Sequence, residues 1–485
     1  MTDDGIQISE ELPRDITATK EENFGRWFDE TLSAAGLVDK RYEVKGMFVW
    51  LNYGFEVMKR IKFIWDGLFT ESGIKEMYFP LIVPLEYAKQ NDSWLEGFKS
   101  QAYWVKGLEE PEARHILRPT GEPAMYPMFS LWIRSYSDLP LRIYETVSSF
   151  RYETKMTRPL IRDREITMWY EIHTAHATKE EADREIEEAV RINDVIWKKL
   201  AIPTIKVEKP QWECFPGAVG AIEYYSIMPD GKAVENGSCN HLGQAYAKKF
   251  NIKFKDKQGE EKFAWQTCTG NGARYFVAVL AIHGDNKGAV LPPEIAPIQV
   301  VITTISQKGK EKEVQEKAQE LSKKLSEEGV RVYLDASNKT PGEKFFEWEI
   351  KGVPIRIEVG PKDLKTHNYV VFRRDENRKT KIEEKSLVAE CRKLLGEIQE
   401  NLLKKAQKFY DEKIAGTDRL EEIKTVIDAK KIAKVSWCES AQCWDKIKEI
   451  SEGIELFGTI PKKDKGRCVI CGKESCKKGY VAKTY

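Results

Sequence analysis

A chain of 485 residues is too long for a single compact core, and two to four domains are expected. Its 41% hydrophobic and 11% aromatic content excludes a disordered protein, while 78 Lys+Arg against 77 Asp+Glu exclude bulk electrostatic binding of nucleic acid, so any RNA contact has to be local. No apolar run approaches the ~18–20 residues that span a bilayer, and the opening Met-Thr-Asp-Asp-Gly-Ile lacks a signal-peptide segment, so a soluble cytoplasmic protein without membrane contact is expected.

Residues 1 to about 16 are polar, and a loose N-terminus is expected over 1–20. From roughly Phe24 to Ile64 apolar residues recur at helical spacing, as in Phe24, Trp27, Phe28 and Leu32. Gly73-Ile-Lys-Glu-Met-Tyr-Phe-Pro80 reads as a strand closing on proline. Residues 142–144 and 166–169 are strand-like and flank a loop bearing Lys155, Arg158, Arg162 and Arg164. Residues 179–200 predict an amphipathic helix with Ala182, Ile186, Ala189, Ile196 and Leu200 on one face. Gly231 and Gly237 punctuate short strands, and Gly270-Asn-Gly-Ala-Arg274 leads into a helix. The proline-rich Leu291-Pro-Pro-Glu-Ile-Ala-Pro297 marks a change of pattern. Beyond it strands (300–305, 332–334, 355–359, 369–372) alternate with helices, the last carrying Leu387, Cys391, Leu394, Ile398 and Leu402. That alternation predicts a small α/β domain with a mainly parallel sheet. A Lys-rich unit holding a cysteine cluster follows from about residue 405.

Guanidinium groups at strand ends and on the intervening loop suit a polyphosphate, since their forks match phosphate oxygens and stay charged at every physiological pH. Arg151 and Glu153 share one side of a strand by the two-residue period, with Tyr152 opposite. Such a pair is ordinarily a cross-strand salt bridge; its weight here comes from Phe150 before it, the basic loop after it and Arg274 in the Gly-rich turn. Gly270-x-Gly272-x-Arg274 lets backbone approach a ligand and places a guanidinium at a helix start. It matches neither the Gly-x-x-x-x-Gly-Lys-Ser/Thr phosphate loop nor the dinucleotide Gly-x-Gly-x-x-Gly, which disfavours those nucleotide folds. Glu171, His173 and His176 have the chemistry of metal ligands, though hydrogen-bonded interior residues are the commoner role, and Asp285 reads as a turn residue. Cys438-x4-Cys443 and, after 24 intervening residues, Cys468-x2-Cys471 fit tetrahedral Zn²⁺, two short hairpins each supplying two thiolates at ~2.3 Å, with Cys476 competing for a place. The last 25 residues carry eight Lys/Arg against Asp464 and Glu474, a net +6 that suits a phosphate-backbone contact.

Together these segments resemble the class II aminoacyl-tRNA synthetases, and closely the prolyl-tRNA synthetases of archaeal and eukaryotic-like kind, over nearly the whole chain from about residue 20. Gly73 to Pro80 resembles motif 1, the dimer-interface strand; Phe150-Arg-Tyr-Glu153 with Arg162 resembles motif 2; Gly270 to Arg274 resembles motif 3. Leu117-Arg-Pro-Thr-Gly-Glu122 is similar to the Arg-Pro-Thr-Ser-Glu signature, and His283-Gly-Asp-Asn, Leu291-Pro-Pro293 and Pro341-Gly-x-Lys-Phe are similarly family-like. The resemblance implies an α+β chain: a class II catalytic domain (21–295) with an antiparallel sheet flanked by helices, an α/β anticodon-binding domain (296–404), and a small C-terminal zinc-binding domain (405–485). It implies a homodimer joined through the motif 1 region.

The implied reaction is the ATP-dependent attachment of proline to tRNA(Pro) through prolyl-adenylate, with Mg²⁺ on the phosphates and a structural Zn²⁺ on Cys438, Cys443, Cys468 and Cys471. Arg151 is expected on the α-phosphate and the amino-acid carboxylate, Glu153 on the adenine amino group, and Arg162 and Arg274 on the distal phosphates. Thr120 and Glu122 are expected to recognise the imino nitrogen, with Trp169, Glu171, His173 and Phe215 shaping the small apolar pocket. Phe345 and Glu349 lie where the family reads anticodon bases, and Tyr485 where archaeal-type members often carry a tyrosine that reaches toward the active site. No editing domain is expected between motifs 2 and 3. Departures fall in the pocket: Asn240 replaces a histidine, with His241 adjacent, Thr269 and Gly272 replace a tryptophan and a hydroxyl residue, and Gly121 stands where serine is common. They leave two alternatives, a paralogue activating alanine or cysteine and an inactive synthetase-like RNA-binding protein.

Overall fold

The computed structural model describes residues 15–91, 96–154, 156–215, 217–305, 307–462, 464–475 and 477–485, the side chain of Ser475 excepted. Lys155, Cys476 and most of the expected loose N-terminus lie outside the described residues. The apolar strands form one eleven-stranded sheet in the order Ile414–Gly416, Ile432–Ser436, Lys478–Lys483, Ile454–Thr459, Ile205–Lys209, Gly220–Ile227, Ala233–Gly243, Trp265–Asn271, Glu165–His176, Leu141–Phe150 and Lys75–Glu76. Every neighbouring pair from Ile432–Ser436 to Leu141–Phe150 is antiparallel, and among the described residues parallel pairs in this sheet occur only at its two edges.

The strands beyond residue 405 therefore continue the central sheet. The junction is the single pair Thr459↔Glu208, reinforced by the Thr459 hydroxyl donating to the Glu208 carbonyl (3.3 Å) and by Tyr225 and Phe457 stacking at 4.4 Å. Helix Leu387–Lys413 runs without a break across residue 404 into this part of the chain.

One face of the sheet is covered by helices Phe24–Ala34, Asn52–Glu71, Lys179–Lys199 and Arg274–His283. The third shows why local sequence suffices. Thr178 caps it by accepting from the Glu181 amide, Glu180 and Glu181 sit in its first turn and Lys198 and Lys199 in its last, all favourable to the helix dipole. The helical run expected from Phe24 to Ile64 is instead two helices, because Gly36 and Gly46 adopt positive φ and the segment joining the helices forms the strand pair Val38–Asp39 with Val49–Trp50. Of the strand expected over 73–80, only Lys75–Glu76 pairs, with Ile143–Tyr144; further on, the Phe79 amide donates to the buried Glu145 carboxylate.

A second sheet has the order Val332–Asp335, Val300–Thr304, Ile355–Val359, Asn368–Arg373, Arg378–Glu383. Its first three strands are parallel and its last two antiparallel, which corrects the mainly parallel expectation. A hairpin turn with Asn377 at φ 51° reverses the chain, and the strand it creates is so charged (Arg-Lys-Thr-Lys-Ile-Glu) that no apolar alternation marks it. This sheet is fastened to the first by Asp285, whose carboxylate accepts two hydrogen bonds from the buried Arg374 guanidinium (2.6 and 2.7 Å), and by Lys287 with Glu349 at 2.6 Å. Asp285 is the turn residue expected, exchanging backbone bonds with Gly288, and an inter-sheet anchor as well. Among the described residues, no helix is long and apolar enough to cross a membrane.

Candidate functional site

Arg151 stands just past the end of strand Leu141–Phe150, its amide bonded to the Arg164 carbonyl across the hairpin mouth. The Glu153 amide bonds back to the Arg151 carbonyl, so the two side chains are set by a tight bend and not by the strand alternation expected from their spacing. The Arg151 guanidinium lies between two rings, 5.6 Å from Phe98 and 5.7 Å from Trp169, and its Nε donates to the Pro119 carbonyl. Burial, and then the charge of Arg274, push its pKa down from the usual arginine range. Trp169 can lie flat here because Gly270 has no side chain: a Cβ there would stand 2.6 Å from the indole.

These groups open onto a cavity of about 320 Å³ on the sheet face opposite the four covering helices. Arg162, Arg274 and Glu153 line it together with Arg151. Arg274 begins helix Arg274–His283, donates from Nε to the Ile161 carbonyl and from Nη1 to the Glu235 carbonyl, and lies 3.6 Å from the Glu235 carboxylate. Arg164 is occupied elsewhere, stacked 3.9 Å from Tyr152 and donating to the Glu153 carbonyl. Arg158 packs beside the Tyr485 ring at 5.3 Å, while the Tyr485 hydroxyl donates to Asp230 (2.6 Å). The last residue thus touches the loop whose residues 160–163 line the cavity.

The far end holds Thr120, Glu122, Glu171 and His173, all buried. The Thr120 hydroxyl donates to Glu122, and Glu171 accepts from the Gly121 amide (2.7 Å) with His173 Nε2 at 3.0 Å; the Tyr126 hydroxyl is 3.0 Å from His173 Nδ1. Burial raises the Glu122 carboxyl above the usual range. Burial pushes Glu171 the same way, but the hydrogen bond and charge of His173 and the charge of Arg118 outweigh it and hold Glu171 below that range. His173 itself is raised, burial being overcome by Glu171 and Glu122. Glu171 hydrogen-bonded to the imidazole, with the Glu122 carboxyl acting on it through space, leaves an acidic nook fit for a cationic nitrogen. Glu171 and His173 are thus partners in this nook, while His176 bonds Thr174 on the opposite sheet face. Phe215 adds an apolar edge, 6.2 Å from Phe98 and stacked on Tyr246.

The departures have physical sense. A Cβ at Gly121 would stand 2.8 Å from the Glu171 carboxylate, so serine would push that acid away. Asn240 faces the cavity and donates to Ser238 (2.8 Å), whereas His241 points to the other face, 3.2 Å from Asp183, and does not replace the missing histidine. Ser238 and Cys268, in the segments around Asn240 and Thr269, also line the cavity, as do Phe98, Glu223 and Glu235, which no local motif marks.

Phe345 and Glu349 lie away from this cavity, on helix Pro341–Ile350. The Arg356 guanidinium is held between the Phe345 and Phe372 rings at 4.1 and 4.4 Å, with the Lys379 ammonium 5.1 Å from Phe345. The thiols of Cys438, Cys443, Cys468 and Cys471 all lie within 4.8 Å of one another, with Sγ–Sγ distances of 3.6 Å (Cys438–Cys443) and 3.7 Å (Cys471–Cys438). Four sulfurs at ~2.3 Å from one tetrahedral ion are about 3.8 Å apart, so the set fits Zn²⁺. The Lys473 amide and the Cys468 thiol hold the Cys471 thiol down at about 7, toward the thiolate a metal needs. Cys443 belongs to helix Ala441–Lys448 and Cys438 to the loop before it, so the first pair is not on a hairpin as expected.

Residues 103–283 match the tRNA synthetase class II core domain (G, H, P, S and T), residues 299–394 an anticodon binding domain, and residues 420–485 the C-terminal domain of prolyl-tRNA synthetase. The chain is 41% identical to the proline–tRNA ligase of Thermococcus kodakarensis and 42% to that of Pyrococcus horikoshii, over 96% of its own length and 98% of theirs. It superposes on Giardia lamblia prolyl-tRNA synthetase in complex with prolyl-adenylate with a TM-score of 0.92 at 34% identity, covering 97% of this chain and 100% of that one. The Cryptosporidium parvum enzyme complexed with L-proline and AMP gives 0.89 at 31% identity, covering 97% and 99%.

Proposed function

The chain belongs to the proline–tRNA ligase family of class II aminoacyl-tRNA synthetases, and from that premise we propose how its cavity activates proline with ATP and passes the prolyl group to tRNA(Pro). A proline carboxylate oxygen attacks the α-phosphorus, the bond to the bridging oxygen breaks, and pyrophosphate leaves. The 3′-terminal ribose hydroxyl of tRNA then attacks the prolyl carbonyl, and AMP leaves. Both steps rest on positioning and on charge stabilisation.

Arg151 contacts both reacting partners, the carboxylate and the α-phosphate. Arg162 and Arg274 take the distal phosphates, and Glu153 accepts from the adenine amino group. Glu122, with Thr120 donating to it, receives the secondary ammonium of proline, backed by the Glu171–His173 pair; Trp169 and Phe215 close on the pyrrolidine ring. The Glu235 carboxylate beside Arg274 is an oxygen ligand that would hold Mg²⁺ brought with the phosphates, and the ion would supply charge neutralisation there. Phe345, with the Arg356 and Lys379 cations around its ring, offers a stacking platform for an anticodon base, and Glu349 an acceptor next to it. A homodimer through the motif 1 region is supported by the exposed Tyr78, Ile82, Leu131 and Trp132 near that strand, and cytoplasmic residence by cysteines with no disulfide among those described.

The observation that carries the reading is the acidic nook and the arginine clamp meeting in one cavity. Amino-acid-dependent ATP–pyrophosphate exchange with each standard amino acid tests it: exchange is expected with proline, and exchange with another amino acid alone, or with none, overturns it. Gly270→Ala is expected to displace Trp169 from beneath Arg151 and lower kcat/KM for proline about tenfold or more, since misplacement by an ångström is costly. The same exchange assay reads this, and an unchanged kcat/KM would discard the glycine's role.

A further inference from the structure

The four-cysteine cluster and the cavity are joined by two lysines. Lys209, at the end of strand Ile205–Lys209, holds its ammonium 3.3 Å from Glu223, with only 10% and 15% of the two side chains exposed. The same ammonium lies 5.5 Å from the ring of Trp444, which follows the ligand Cys443 in helix Ala441–Lys448 and is 1% exposed. Four residues on, Lys448 lies 5.4 Å from that ring and 3.1 Å from Glu213. Glu213, Cys214, Phe215 and Glu223 all line the cavity. An ammonium on a flexible four-carbon stem holds its place only where both ends of its environment are fixed, and here the indole and the carboxylate fix it.

Glu223 faces Lys209, Glu235 across the sheet, Cys214 from the loop, and the Tyr225 hydroxyl, which donates to it at 2.5 Å. Burial pushes its carboxyl up to about 7 while Lys209 opposes that shift, so the lysine's position bears on the charge of this wall.

We propose that Lys209 and Lys448 are positioning residues through which the cysteine cluster's helix sets the shape and charge of the cavity wall formed by Glu213, Phe215 and Glu223. The inference rests on the proline-activating reading, yet its geometry concerns the wall alone. In the full-length, zinc-loaded protein, Lys209→Met is expected to raise KM for ATP and for proline about tenfold with kcat within about twofold, as loss of uniform binding would. Lys209→Arg, which restores the cation, should return both to within about threefold. Lys448→Met should raise KM for proline alone, about threefold, because its ion pair is half exposed.

Zinc content, measured on every variant, is expected to stay at the unsubstituted value. ATP binding by calorimetry is measured alongside and should weaken about tenfold in Lys209→Met whichever amino acid the enzyme activates, which separates this inference from the substrate assignment. KM values and ATP affinity within about twofold of the unsubstituted protein, or a loss confined to the fraction of active sites, would overturn it.

Discussion

Arg151→Ala is expected to abolish proline-dependent pyrophosphate exchange, with kcat/KM falling by at least ~10³-fold, because a single preorganised donor to developing charge is commonly worth 10²–10³ and this one meets two anions. The side chain is fixed before any substrate arrives, by Phe98 and Trp169 on either side and the Pro119 carbonyl at Nε. Arg151→Lys should regain no more than about tenfold of the loss: an ammonium lacks the planar fork that can serve a carboxylate and a phosphate together, and it cannot fill the slot between two rings. The fold should survive, since Arg151 lies past the strand and its amide bond to Arg164 does not involve the side chain. Exchange persisting above a tenth of the original rate in Arg151→Ala would remove the residue from the centre of the mechanism.

Cys443→Ser and Cys468→Ser form the second expectation. Each should lower bound zinc from about one per chain to below about a tenth, and each should unfold the C-terminal part of the sheet on mild heating, because structural zinc contributes ~10–16 kcal/mol of apparent binding free energy to such sites. Both thiols are buried within the same apolar cluster as Trp437 and Trp444, so serine also leaves a hydroxyl without a partner in that core. Cys214→Ser serves as the control, since that thiol lies on the cavity wall and donates to the Pro210 carbonyl. Metal analysis and thermal unfolding monitored on the same samples decide the matter; full zinc occupancy in either buried variant would show that the cluster is not a four-thiolate site.

Much of the site was legible because its chemistry is written in short local runs. Residues 117–122, 150–153 and 270–274 each carry their functional groups within a few positions, and the folded chain brings all three to one cavity. What escaped depends on partners distant in sequence. Phe98 matters only because it lies 5.6 Å from Arg151, a ring-to-cation contact that no local pattern announces. Glu223 and Glu235 look like ordinary strand carboxylates until register turns both toward the cavity, Glu223 largely buried and Glu235 still exposed. The facing of Asn240, with His241 excluded, follows from strand pairing with a bulge just after residue 241. The fold showed the same division. Helix Lys179–Lys199 was plain from its periodicity, whereas strand Arg378–Glu383 was hidden by charge, and the union of the C-terminal strands with the central sheet turns on one residue pair, Thr459 with Glu208.

The position of strand Lys478–Lys483 bears on biosynthesis. It is the last strand of the central sheet to leave the ribosome, yet it lies between Ile432–Ser436 and Ile454–Thr459. Until it is translated, a nascent chain holds these two strands apart with their backbone donors and acceptors open, which is the kind of edge that recruits other chains. A stop codon a few positions before Lys478 would therefore remove an interior strand instead of trimming a tail, and its product would be met by chaperones and proteases as an unfinished sheet.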